Sequence, residues 1–280
     1  MDDSHQLLPV KSDFVFKLIF GDQRNTDILA KFLGSVLDIP ELEYEKLTIT
    51  DPYVKKESES DKFGILDVKL YTKSGRVVHI EIQVLPIPNM AERSIYYLSK
   101  MVAEQLSSGS EYNKIKQVVS IIVTDYNMTE DNGIYHNRYR LRSAFDSSEY
   151  TDLIEIDLLE LPKLPVINDG SELWHWLRFM DCQEEEVLNM LEEHSPELKK
   201  AVGVLKELSE DERTRMLFED QEKARRDWAS RMSGARREGR EEGQRDARID
   251  IANKLIDMGL STEQIETATG LSREEVEALQ

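Results

Sequence analysis

Asp67 and Glu81 are the two residues of this chain whose type and spacing could do chemistry, with Gln83 two positions further on. They lie in strand-like runs, Gly64-Ile65-Leu66-Asp67-Val68-Lys69-Leu70-Tyr71 and Arg76-Val77-Val78-His79-Ile80-Glu81-Ile82-Gln83-Val84, joined by Thr72-Lys73-Ser74-Gly75. With Lys73-Ser74-Gly75 as a three-residue loop and Gly75 left-handed, residue numbers paired across the hairpin sum to 148. Asp67 then faces Glu81. Strand alternation puts Ile65, Asp67, Lys69, His79, Glu81 and Gln83 on one face, over an apolar underside of Leu66, Val68, Leu70, Val78, Ile80, Ile82 and Val84. Opposed carboxylates repel unless a cation lies between them, which is how a hard divalent ion such as magnesium is held. Two alternatives stay open. A polar hairpin face is commonly the solvated side of a half-buried sheet, and a two-residue turn at Ser74-Gly75 would put the carboxylates on opposite faces.

The elements that must position this hairpin are legible from periodicity. Lys11 to Phe20 reads as a helix ended by Gly21, and a second helix starts at the cap candidate Asn25 and stops before Pro40. Leu47-Thr48-Ile49-Thr50 is a short strand, and Lys55 to Lys62 a charged loop. After Pro86 and Pro88 a helix runs from Met90 to Leu106. Val118 to Val123 is a buried strand, followed by alternating runs at Tyr135 to Leu141 and Leu153 to Leu159. This order implies an α/β fold with a mixed sheet covered by helices.

Pro162 and Pro165 break the chain, and from Ser171 onward the pattern is helical and acidic, with Trp174 and Leu177 on a docking helix. Ser209-x-x-Glu212 reads as a capping box. Gln221 to Arg248 is highly charged and holds Gly234, Gly239 and Gly243, each costing about 1 kcal/mol in a helix interior, so a loose exposed helix or a linker is expected. Three short helices follow between Ile251 and Leu279, with capping boxes at Ser261-x-x-Gln264 and Ser272-x-x-Glu275 and stops at Gly259 and Gly270. The expected division is residues 1–165, an acidic helical extension 166–222, a charged linker 223–250 and a helix-turn-helix-like module 251–280. That last module ends in Ser272-Arg273-Glu274-Glu275-Val276-Glu277, which would present carboxylates to phosphates. Packing or self-association into a homo-oligomer suits it better than reading DNA.

Composition narrows the classes further. No run of about eighteen apolar residues exists, so no membrane partner is expected, and the acidic start Met1-Asp2-Asp3-Ser4-His5 is wrong for a secretory signal. The lone Cys182, near Trp174, Trp176 and Phe179, excludes an internal disulfide or cysteine zinc site and suits a buried thiol in a cytoplasmic protein. Five histidines lack metal-ligand spacing, though His79 shares the polar face with Glu81. The net charge of −19 opposes broad, nonspecific nucleic-acid binding, so any DNA contact must come from a local basic patch or through metal.

Lys11-Ser12-Asp13-Phe14-Val15-Phe16-Lys17-Leu18-Ile19-Phe20-Gly21, Asp61-Lys62-Phe63-Gly64-Ile65-Leu66-Asp67-Val68 and Ile80-Glu81-Ile82-Gln83 together resemble the Rpn family of bacterial recombination-promoting nucleases, the PD-(D/E)XK nuclease family transposases. Arg93 to Gln105 with the Tyr96-Tyr97 pair, Gly109-x-x-Tyr112, Arg237 to Gly243 and Gly270-Leu271-Ser272 extend the resemblance over nearly the whole chain. It implies a restriction-endonuclease-like core and a DNA endonuclease that hydrolyses phosphodiester bonds with Mg²⁺ or Mn²⁺ in recombination or mobile elements. Asp67 and Glu81 would ligate the metal, and Gln83 stands where the broader superfamily has Lys. Gln orients water but carries no charge; Lys62 or Lys69 could supply charge, and Asp13 or Glu104 could assist from a flanking helix. Two other functions remain open at this stage: a catalytically weak or inactive interaction module on the same fold, and an RNA nuclease.

Overall fold

The computed structural model describes residues 7–37, 39, 41–50, 68–130 and 132–279. Asp67, Lys62 and the expected loop 55–62 therefore lie outside the described residues. Two compact units divide the chain, residues 1–218 and 219–280.

The first unit is built on a mixed sheet with six strands among the described residues: β1 (Thr48–Thr50), β2 (Val68–Tyr71), β3 (Val77–Gln83), β4 (Val118–Thr124), β5 (His136–Arg142) and β6 (Glu149–Glu160). Their spatial order is β1-β2-β3-β4-β6-β5. β3–β4 and β4–β6 are parallel, and the remaining pairs are antiparallel. All seven residues of β4 are buried, as its Val/Ile-rich run, interrupted by Ser120, suits a strand with parallel neighbours on both sides. The hairpin register is the expected one: Val68 pairs with Ile80, Lys69 with His79, Leu70 with Val78 and Tyr71 with Val77. Its turn is the three-residue loop, closed by Thr72 N–H donating to the Arg76 carbonyl at 3.0 Å, with Gly75 at φ 87°. A two-residue turn is excluded.

Helices cover both faces of the sheet. On one face, α1 (Asp13–Phe20), α2 (Thr26–Val36), α4 (Glu172–Asp181) and α6 (Pro196–Glu210) pack with Val68, Leu70, Val78, Ile80 and Ile82 into the main core. Phe20, Phe32 and Trp176 meet there with ring centroids 5.4–6.2 Å apart. Asn25 does stand at the start of α2, but its side chain ties that start to α1 by donating to the Ile19 carbonyl at 3.0 Å rather than capping its own helix. The other face belongs to α3 (Met90–Ala103), whose Met90, Leu98 and Met101 meet Val77, Val118, Ile122 and Leu158.

α5 (Glu185–His194) completes the helices preceding α7 (Glu212–Asp257). The expected cap at Ser209 is corrected: Ser209 lies inside α6, where its hydroxyl donates to the Leu205 carbonyl and accepts from Leu8 N–H. Asp211 caps α7 instead, accepting from Thr214 N–H at 2.7 Å. Aspartate competes for this role because its carboxylate also favours the positive end of the helix dipole. The charged stretch is one continuous 46-residue helix despite its glycines. It is followed by α8 (Thr262–Thr269) and α9 (Arg273–Glu277), both with the expected capping boxes and with Gly259 and Gly270 left-handed. Ala252, Ile265, Leu271 and Val276 form the small core of this second unit.

Cys182 is buried, and burial pushes its thiol up to about 11. Native protein at neutral pH should react with a thiol reagent far more slowly than denatured protein; equal rates would contradict the burial. On the main-core face of the sheet edge, Asp157 is fully buried and is met by His136 Nε2 at 2.7 Å and Arg138 Nε at 2.9 Å. Asp157→Ala should lower stability by about 2–3 kcal/mol in chemical denaturation, below the ceiling for a wholly buried pair because the outer atoms of both partners reach solvent. A loss under about 1 kcal/mol would show that the network contributes little.

Candidate active site

The face carrying Glu81 is not solvated. β3 is internal to the sheet, so its alternate side chains on this face meet α3 instead of water. His79 and Glu81 are buried, Glu81 to 3 % exposure. α3 is brought over them by the short Pro86-Ile87-Pro88 link, which cannot continue a strand ladder, and by Asn89, which turns at φ 59°. Met90, Ser94, Leu98 and Met101, spaced by three and four, then face inward.

This spacing sets Arg93 beside the buried acid. Its Nε lies 4.0 Å from Glu81 Oε1, and its guanidinium carbon stands 5.0 Å from the Tyr97 ring centroid. Arg93 Nε is buried without a hydrogen-bond partner among the described residues. Leaving such a donor unsatisfied costs about 1–3 kcal/mol, so its position suits an anionic oxygen that arrives with a ligand. Tyr126 is a further neighbour: burial pushes its phenol up, and the charge on Glu81 adds to the shift. It stays protonated at neutral pH.

Gln83 ends β3 on the same face, where its Nε2 donates to the Leu85 carbonyl at 3.0 Å. That bond commits the amide nitrogen and leaves Oε1 as the acceptor of the side chain. Across the parallel strands Gln83 aligns with Thr124 and Thr124 with Glu160, making a polar row at their carboxyl ends, the usual place for sites in open α/β sheets. Glu160 is fully buried and accepts from Met128 N–H at 2.6 Å, Thr129 N–H at 3.0 Å, Thr129 Oγ1 at 2.7 Å and Lys163 Nζ at 3.0 Å. The same row is bordered by Lys11, whose Nζ bridges Asp125 and Asp181, each at 3.1 Å.

The remaining sequence candidates separate. Lys69 shares the Glu81 face by its pairing with His79, and its Nζ meets Glu104 Oε2 at 3.3 Å, so these two expected auxiliaries pair with each other. Asp13 occupies the first turn of α1, whose buried residues belong to the core on the opposite face. Asp67 and Lys62 lie outside the described residues, and within those residues no cluster of three or more His, Cys, Asp or Glu side chains is arranged for a metal. Glu81 and Gln83 offer oxygen donors, a set that fits a hard divalent cation and not a soft one. Sequence reasoning missed Arg93 and Tyr126 as site neighbours; the Arg93-to-Gln105 resemblance marked the first without indicating its chemistry.

The sequence matches the PD-(D/E)XK nuclease family transposase family over residues 10–235, and the chain belongs to that family. No curated protein and no solved structure matches it. No helix among the described residues is long and apolar enough to cross a membrane.

Burial alone would raise Glu160, but the hydrogen bonds from Thr129, Lys163 and Met128 outweigh it and hold the carboxyl below its ordinary 4.5. A depressed carboxyl stabilises the fold above its unfolded value and loses that contribution as pH falls through the folded one. Glu160→Gln should therefore destabilise the protein at neutral pH and flatten its loss of stability below pH 4.5. An unchanged acid limb in pH-dependent denaturation would exclude Glu160 from that role.

Proposed function

We propose that this protein is a divalent-metal-dependent DNA endonuclease, with Asp67 and Glu81 as ligands for Mg²⁺ or Mn²⁺. The observation that carries the reading is a carboxylate held at 3 % exposure on an internal strand, with a buried arginine donor 4.0 Å away that has no hydrogen-bond acceptor among the described residues. A structural acid on a half-exposed sheet would need neither feature. The described register, from Val68–Ile80 onward, is the one on which the sequence reading of Asp67 opposite Glu81 rests, and it supports that assignment.

A divalent cation bound there supplies Lewis acidity and neutralises charge on the scissile phosphate. The chain's own residues do the rest. Glu81 fixes one negative oxygen pair at the face, and Gln83 orients water through Oε1. Arg93 supplies the positive charge that Gln83 lacks, donating from Nε to a nonbridging phosphate oxygen as charge develops there. Action on DNA in recombination or mobile elements, in the cytoplasm, belongs to the same reading and follows the family. An inactive interaction module is favoured by one observation, the closeness of Arg93 to Glu81, since such a pair can be purely structural.

Purified protein should nick supercoiled plasmid with Mg²⁺ or Mn²⁺ and stop when the metal is chelated. Asp67→Ala and Glu81→Ala should each lower the rate by on the order of a hundredfold or more, and Arg93→Gln by a similar factor with partial recovery in Arg93→Lys. If both carboxylate variants nick as fast as the parent, the site assignment is wrong. Calorimetric heat of Mn²⁺ binding that vanishes in Asp67→Ala separates an intact site from the inactive module.

A further inference from the structure

Between Lys223 and Arg240, α7 carries seven Lys/Arg residues and only two acids, Asp227 and Glu238, in a chain whose net charge is −19. Their placement is more telling than their number. At about 100° per residue, one arc of about 140° holds Lys223, Arg226, Ala229, Ser230, Ser233, Arg236, Arg237 and Arg240. No carboxylate falls within it. Asp227 and Glu238 lie on the far side, with Trp228, Met232 and Ala235. Glu222 and Glu241 bound the arc at its two ends.

A solvated helix commonly interleaves opposite charges three and four residues apart, because like charges at that spacing destabilise it. α7 keeps only part of that pattern in this window: Asp227 stands four residues from both Lys223 and Arg231, but Lys223 and Arg226, Arg236 and Arg240, and Arg237 and Arg240 are like-charged neighbours at those spacings. The five cations of the arc are exposed and form no ion pair among the described residues, unlike Arg225 just outside it, which pairs with Glu222 at 2.6 Å. A polyanion removes the repulsion, and serine hydroxyls between the arginines are suited to phosphate oxygens as further donors. Along the axis the arc extends about 26 Å, enough to follow a duplex backbone through several phosphates. Arg236, Arg237 and Arg240 lie beyond the family match, which ends at residue 235.

We infer that this arc is a sequence-independent binding surface for the backbone of double-stranded DNA. The inference deepens the endonuclease reading by supplying the local basic patch that an acidic nuclease requires. It takes its substrate class from that reading, while binding can be measured apart from cleavage. A second copy of the chain or another acidic protein is the competing occupant.

The test is fluorescence anisotropy of the full chain with a labelled duplex of about 20 base pairs, metal chelated, across a salt series. The parent should bind with a log–log salt slope of about −4 to −5, as five phosphate contacts require. Arg236→Gln, Arg237→Gln and Arg240→Gln combined should weaken binding at low salt by on the order of a hundredfold and make the slope shallower by about 3, and the corresponding Arg→Lys triple should restore both. Glutamine keeps helix propensity, and circular dichroism checks that α7 persists. Unchanged affinity and slope in the glutamine triple would overturn the inference, as would a parent that binds no duplex. So would a triple that changes the sedimentation of the chain and leaves DNA affinity intact. Duplex binding through the arc without any plasmid nicking leaves the surface standing and removes the nuclease; nicking at parental rate by the triple removes the surface alone.

Discussion

Burial of β3 on both faces is the constraint on which the site depends. An ionised carboxylate in a low-dielectric interior is costly unless charged or hydrogen-bonding groups surround it, so Glu81 cannot sit at this place in the sheet by accident of pattern. Two arrangements create the burial. β4 pairs in parallel along the length of β3, which makes β3 internal, and α3 returns over the face that would otherwise meet water. The same return delivers Arg93. The covering helix and the positive charge beside the acid are therefore one structural event, and the Pro86-Ile87-Pro88 link is what sends the chain back so soon after Gln83.

The sheet handles its other buried acids differently. Glu155 and Asp157 lie on the opposite face, met by His136, Arg138 and Arg140 from the edge strand β5. Burial and then the neighbouring Asp157 charge raise Glu155, which shows that two carboxylates at that spacing strain even a well-supplied network. Glu160 instead gathers backbone and hydroxyl donors from the segment at Met128 and Thr129. In both cases the partners come from within the fold and the groups are set by packing. Beside Glu81 the Arg93 Nε stands at 4.0 Å without an acceptor among the described residues, although Asp157 Oδ2 on the opposite face is likewise buried without a hydrogen-bond partner there.

Much of this was legible in the residues. The hairpin register was one of two turns that Ser74-Gly75 allowed, and the left-handed Gly75 closing a three-residue loop selects the one that fixes every pair beyond it. The Val/Ile run of β4 declared burial on both faces, and the capping boxes at Ser261 and Ser272 fixed the last helices. Periodicity could not say whether the polar face of the hairpin meets water, because that depends on which helix crosses it. A Ser-x-x-Glu pattern at Ser209 misled for a related reason: the hydroxyl could bond a carbonyl within its own helix, and Asp211 offered a stronger cap two residues later. Lys69 and Glu104 read as separate auxiliaries because nothing local shows two residues 35 positions apart as an ion pair.

The distribution of positive charge bears on how so acidic a chain could handle a polyanion. In the first unit, Arg93 apart, several cations near the sheet are already committed: Lys11 to Asp125 and Asp181, Lys69 to Glu104, Lys163 to Glu160, and Arg140 to Glu155. Recruiting any of them to phosphate would strip a carboxylate of its partner, and for the buried pairs that loss would exceed the gain. The exposed arginines of α7 between Lys223 and Arg240 form no ion pair among the described residues, Arg226 donating only to the Glu222 carbonyl, so binding there strips no carboxylate of its partner. An acidic surface elsewhere then limits nonspecific accumulation on nucleic acid while a single helix face retains affinity. Under this arrangement the net charge of −19, which first argues against DNA, becomes a reason for contacts to be few and localised.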